Sequence, residues 1–130
     1  MEGVRFPEHT TDLELEVKAD SPEELFRRAG LAVIGIVAEP PKGTDEKRLT
    51  VTGPDYEHLM VTFLEELLYL FESEGFAVSD MEVRVEPERL TAFLKGGRAH
   101  PKTGVKAVTW HELRVGPANV GWEAHFILDI

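Results

Sequence analysis

Asp12-Leu13-Glu14-Leu15-Glu16-Val17-Lys18-Ala19 changes character at nearly every step. Successive side chains of a strand point to opposite faces. Leu13, Leu15, Val17 and Ala19 therefore line one side, and Asp12, Glu14, Glu16 and Lys18 the other. The closing stretch repeats the pattern: Trp122, Ala124, Phe126, Leu128 and Ile130 alternate with Glu123, His125, Ile127 and Asp129. Both stretches read as strands with one face on a core. If they are neighbours, Asp12, Asp129 and the α-carboxylate of Ile130 meet at one end of a sheet. Like charges gathered that way call for a compensating cation.

The rest of the chain supplies helices to cover such a sheet. Val4 to His9 reads as a short strand that Pro7 confines to an edge or a bulge. Ser21-Pro22-Glu23-Glu24 is a helix start, with Ser21 as N-cap, Pro22 at the first helical position and Glu24 completing a capping box. Leu25, Phe26, Ala29, Ala32, Val33 and Ile36 follow at helical spacing. Gly30 and Gly35 in that run favour close packing on the sheet. A second helix, about Asp55 to Glu74, carries Tyr56, Leu59, Met60, Phe63, Leu64, Leu67, Leu68 and Phe71 as one apolar stripe. Gly75 is its left-handed stop.

Further strands are expected over Arg48–Gly53, Phe76–Glu86, Arg89–Lys95 and Val105–Val115, with Pro87-Glu88 as a hairpin turn. Gly96 to Gly104 reads as a loop. The expected fold class is α+β, a mostly antiparallel sheet packed by two helices, with residues 1–130 as a single domain.

Composition narrows the function. There is no cysteine, which excludes disulfides, thiolate zinc sites and thiol catalysis. The net charge of −10 argues against direct nucleic-acid binding, which needs a surplus of Lys and Arg. It suits a basic partner or a bound cation. The longest apolar run, Gly30 to Ala38, is far short of the roughly 18 residues of a membrane span. The opening Met1-Glu2-Gly3 is acidic and not a secretory signal. The expectation is a cytoplasmic protein without membrane contact.

Five histidines, His9, His58, His100, His111 and His125, form no ligand-spaced pair, so a zinc site requires convergence in space. Gly96-Gly97-Arg98 with His100-Pro101-Lys102-Thr103-Gly104 could cradle a phosphate, yet lacks the strand-to-helix context. No serine lies in a nucleophile elbow. The hard oxygens of Asp12, Asp129 and Ile130 suit Ca²⁺, or Mg²⁺ or Mn²⁺, better than Zn²⁺. Lys106 is a counter-charge for them.

Four segments together resemble the archease family: Glu8-His9-Thr10-Thr11-Asp12, Leu67 to Phe76, His100-Pro101 with Val105 to His111, and Leu128-Asp129-Ile130. The resemblance covers nearly the whole chain. It implies a protein that is not itself an enzyme. It implies an activator of the GTP-dependent tRNA-splicing RNA ligase of the RtcB type, promoting guanylylation and repeated turnover. It places the family's metal ligands on Asp12, Asp129 and Ile130, a functional lysine on Lys106, and His9 within the partner-facing motif. One departure is the short Lys95-Gly96-Gly97-Arg98-Ala99 segment, where the family carries a longer loop with acidic residues. The competing readings are a stand-alone metal-dependent phosphoester hydrolase using the same carboxylates, and a general chaperone-like module.

Overall fold

The computed structural model describes residues 2–5 and 12–130. Among them lie β1 (Val4–Arg5), β2 (Asp12–Ala19), α1 (Pro22–Val37), β3 (Lys42–Thr52), α2 (Tyr56–Glu74), β4 (Phe76–Glu86), β5 (Arg89–Arg98), β6 (Ala107–Pro117) and β7 (Trp122–Asp129). All strand pairs are antiparallel, in a four-stranded sheet of order β1-β2-β7-β6 and a three-stranded sheet of order β3-β5-β4. The α+β class holds, and the expected sheet is divided in two.

The helices start and stop where their end groups are satisfied. Ser21 Oγ accepts from the Glu24 amide at 3.1 Å, and Asp55 Oδ1 from the His58 amide at 2.8 Å. Gly75 ends α2 at φ 72°, its N–H returning to the last turn. The helices pack on both sheets, α1 on β4 and β2, α2 on β6 and β4. Phe26, Phe63, Phe126, Leu15, Leu64 and Leu67 are among the largest fully buried side chains between them. A Cβ on Gly30 would stand 2.9 Å from Leu67 Cδ1 and 3.1 Å from both Met81 and Phe63, so α1 needs glycine at this crossing. Gly35 has open space instead.

Three boundaries differ from the sequence reading. β3 begins at Lys42, not Arg48, because its first residues are exposed on both faces and show no alternation. β5 runs on through Gly96, Gly97 and Arg98. Those two glycines are wedged against the backbones of Ala77 and Lys42, so they form packed strand and not an open phosphate loop. β6 starts at Ala107, which leaves Lys106 just ahead of it. The expected Val4–His9 strand is seen as Val4–Arg5; its remainder lies outside the described residues.

Candidate functional site

First and last long strands are neighbours. Asp12 pairs with Asp129, Glu14 with Ile127, and Glu16 with His125. On the other side of β7, Ala107 pairs with Asp129, Thr109 with Ile127, and Arg114 with His125. One face of this sheet thus carries three rows: Asp12–Asp129–Ala107, Glu14–Ile127–Thr109 and Glu16–His125–Arg114. The Lys106 amide donates to the Asp129 carbonyl at 2.7 Å, which fixes the β7 end beside the segment entering β6. Asp12 and Asp129 are half-buried; Lys106 and Ile130 are exposed. The fold therefore brings Asp12, Asp129, Lys106 and the residue that follows Asp129 to one corner. His9 lies outside the described residues.

This donor set fits a hard cation. Asp12 and Asp129 are register partners on adjacent strands, and carboxylate oxygens are ligands that suit Ca²⁺ and Mg²⁺. Opposed like charges on neighbouring strands cost stability unless something positive lies between them.

A second group on the same face was not singled out by sequence. The ligand atoms of Glu14, Glu16 and His125 lie within 4.8 Å of one another. His125 is 5 % exposed although it belongs to the polar side of β7. The reason is a bulge in β6, where Trp110, His111, Glu112 and Leu113 fall opposite the single Phe126. Glu112 there takes φ 53°, a left-handed backbone that few residues other than glycine adopt. Its carbonyl accepts from His125 Nδ1 at 2.7 Å, while Nε2 meets the Glu14 carboxylate. Burial pushes the imidazole pKa down, but the Glu14 carboxylate and the Glu112 carbonyl outweigh it, and the net direction is up.

Alternation had put Glu14, Glu16 and His125 on polar faces, but not the register that joins them. Thr109 Oγ1, in the row between the two acidic groups, is shielded from solvent without a hydrogen-bond partner among the described residues. The bulge also rests on α2: the His58 ring lies tilted against Trp110 at 4.6 Å between ring centroids, and Asp55 Oδ1 bonds the same His58 ring at 2.8 Å. Asp55 is held below the usual carboxylate range by the His58 amide and ring. Among the described residues, the three-ligand group contains only one histidine, so the described histidines do not converge as a zinc cluster.

The class that the fold and this corner define is a small two-sheet α+β protein whose first and last long strands pair and bring Asp12 and Asp129 together. Comparison with known proteins gives the lineage. The archease protein family (MTH1598/TM1083) matches residues 5–130. Protein archease of Archaeoglobus fulgidus is 36% identical over 134 residues, covering 97% of this chain and 98% of that protein. Protein archease of Methanosarcina mazei is 32% identical over 135 residues, with coverage of 95% and 92%. The solution structure of Methanobacterium thermoautotrophicum protein 1598 superposes with a TM-score of 0.85 at 26% identity over all of both chains. A Thermotoga maritima crystal structure, described as an archease and possible chaperone, shares the fold with a TM-score of 0.71 at 22% identity, over 95% of this chain and 94% of that one. This chain belongs to the archease family. Among its described residues no helix is long and apolar enough to cross a membrane.

Proposed function

We propose that the protein is a non-enzymatic accessory factor that activates the GTP-dependent tRNA-splicing RNA ligase of the RtcB type. It promotes formation of the ligase–GMP intermediate and so supports repeated turnover. Family membership supports this reading, and the pairing of Asp12 with Asp129 is the observation that carries it. Asp12, Asp129 and the carboxylate of Ile130 would hold a divalent cation, Ca²⁺ first and Mg²⁺ or Mn²⁺ as alternatives. When bound, such an ion supplies positive charge for phosphate oxygens.

The chain's own residues do the rest. The Lys106 amide keeps the end of β7 in place, and its exposed ammonium is available to a phosphate or a partner carboxylate. The net charge of −10 suits docking against a cleft that is basic because it holds RNA. The same charge argues against direct nucleic-acid contact, and the proposed site of action is the cytoplasm.

The test is ligase guanylylation by GTP with and without this protein. Wild type should raise ligase–GMP and the number of turnovers; Asp12→Ala and removal of Asp129-Ile130 should abolish both while circular dichroism stays native. Undiminished stimulation by Asp12→Ala overturns the site. Phosphoester turnover by the purified protein alone would establish the hydrolase reading. Suppression of unrelated aggregation that survives loss of Asp129-Ile130 would establish the chaperone reading.

A further inference from the structure

We infer that His125 is held as a buried imidazolium between the Glu14 carboxylate and the Glu112 carbonyl, and that this proton latches the β6 bulge to the sheet. Deprotonation of the ring frees the bulge, and with it the surface that carries Trp110 and His111.

The acceptors assign the hydrogens. Nδ1 lies 2.7 Å from the Glu112 carbonyl, which can only accept, and Nε2 meets the Glu14 carboxylate. A neutral imidazole carries one N–H and cannot serve both; an imidazolium carries two. A proton on Glu14 beside a neutral ring would also fill the contact, but an ordinary carboxyl gives up its proton near pH 4 and an imidazole near pH 6.5, roughly. The proton therefore belongs to the ring. Burial works against the charge, yet the Glu14 carboxylate and the Glu112 carbonyl prevail.

The other charges around the ring come in opposite pairs. Arg114 from β6 and Glu16 from β2 flank His125 in one row, and Lys18 from β2 stands opposite Glu123 of β7. Arg114 pushes the proton off the ring. The Glu112 carboxylate reaches toward His111 instead. A cavity of about 140 Å³ lined by Glu16, Lys18, Arg114, Glu123 and His125 brings water to the ring, so its proton can exchange.

The bulge is tied down at three places. Trp110 lies on His58 of α2, the Val115 amide donates to the Glu57 carboxylate at 3.0 Å, and between them the Glu112 carbonyl is held by His125. Glu112 takes φ 53°, a conformation that costs a non-glycine residue energy and persists where its surroundings enforce it. When the ring loses a proton, the hydrogen that remains goes to the stronger, charged acceptor, Glu14. Nδ1 then presents a lone pair to the Glu112 carbonyl, and the middle tie is broken. The ring is more easily protonated folded than unfolded, so its contribution is complete below the ordinary imidazole value and is lost as pH rises through the folded one.

The test is a pH titration of the full chain in chelator, following the ¹⁵N resonances of the His125 ring and the backbone ¹³C resonances of Glu112. Both ring nitrogens should be protonated at neutral pH. On the alkaline side Nδ1 should lose its proton while Nε2 keeps one, and the Glu112 shifts should move with the same midpoint. Glu14→Gln should lower that midpoint for ring and bulge alike. His125→Gln should leave the Glu112 shifts without this titration, and the wild-type midpoints decide the matter if that variant fails to fold. A ring with a single proton at neutral pH overturns the inference. So does a ring that keeps its Nδ1 proton on the alkaline side, a midpoint unmoved by Glu14→Gln, or Glu112 shifts that ignore the ring.

Discussion

Asp12 stands directly opposite Asp129 across β2 and β7, in register on one side of the sheet. Without a cation this pair works against the fold, because like charges in opposed positions are destabilising by roughly 0.2–1 kcal/mol. Asp129→Asn should therefore raise the melting temperature of the metal-free protein. The same change should abolish the response to Ca²⁺. Wild type at a hundred times its dissociation constant should gain about 2.7 kcal/mol; Asp129→Asn should gain nothing measurable. Thermal melts with and without chelator read both effects. A metal-free variant no more stable than wild type, or one still stabilised by Ca²⁺, contradicts the arrangement.

Two glycines of α1 should respond to the same substitution with opposite sign. At Gly30 a methyl group would press on Leu67, Met81 and Phe63, and overpacking of that kind costs about 1–3 kcal/mol. At Gly35 nothing lies within 4 Å, so alanine gains helix propensity worth up to about 1 kcal/mol. Urea melts of Gly30→Ala and Gly35→Ala should move to opposite sides of wild type.

Acid should weaken the link between α1 and β4. Asp80 Oδ1 accepts from the Met81 amide at 2.8 Å and from Arg27 at 2.8 and 3.1 Å. These bonds, the Met81 amide first and Arg27 next, hold Asp80 below the usual carboxylate range. A carboxyl whose pKa is lower folded than unfolded stabilises above its unfolded value and loses that contribution as pH falls through the folded one. Arg27→Ala should thus be less stable than wild type at pH 6, by no more than the roughly 0.2–1 kcal/mol of an exposed pair. The gap should shrink as the pH drops below about 4. Melting temperatures that differ by a constant amount from pH 6 to pH 2 contradict this origin.

Much of this architecture is written locally. Alternation marks β2, the second half of β4 and most of β7; Ser21, Asp55 and Gly75 mark helix ends. Even the Asp12–Asp129 pairing was foreseeable, because two half-buried strands at the chain's ends each needed a neighbour. The split into two sheets was not, since alternation shows which face is buried and says nothing about the partner strand. His125 shows the limit most clearly. Its place in β7 predicts exposure, but four residues of β6 fall opposite Phe126, the Glu112 carbonyl among them bonds the ring, and His125 is buried. A bulge is a mismatch between strands, invisible in either one alone. The same long-range register joins Glu14 and Glu16 to His125, so that group could not be read from spacing.

Gly96, Gly97 and Gly104 give the sharpest contrast between reading and fold. By sequence they belong to one flexible, basic loop. In the structure Gly96 and Gly97 lie inside β5, between β3 and β4, where both neighbouring pairings shift register. A Cβ on Gly96 would collide with the Ala77 carbonyl, and one on Gly97 with the Lys42 carbonyl. Backbone cannot move aside as a side-chain tip can, so each alanine should cost at least the 1–3 kcal/mol or so of an overpacked core. Gly104 has nothing within 4 Å, and alanine there should stay within about 0.5 kcal/mol of wild type. A solvent loop would accept all three changes alike. Chemical melts of the three single variants decide between them: equal tolerance would mean that β5 ends before Gly96, and loss confined to Gly96→Ala and Gly97→Ala would mean that the strand runs through to Arg98.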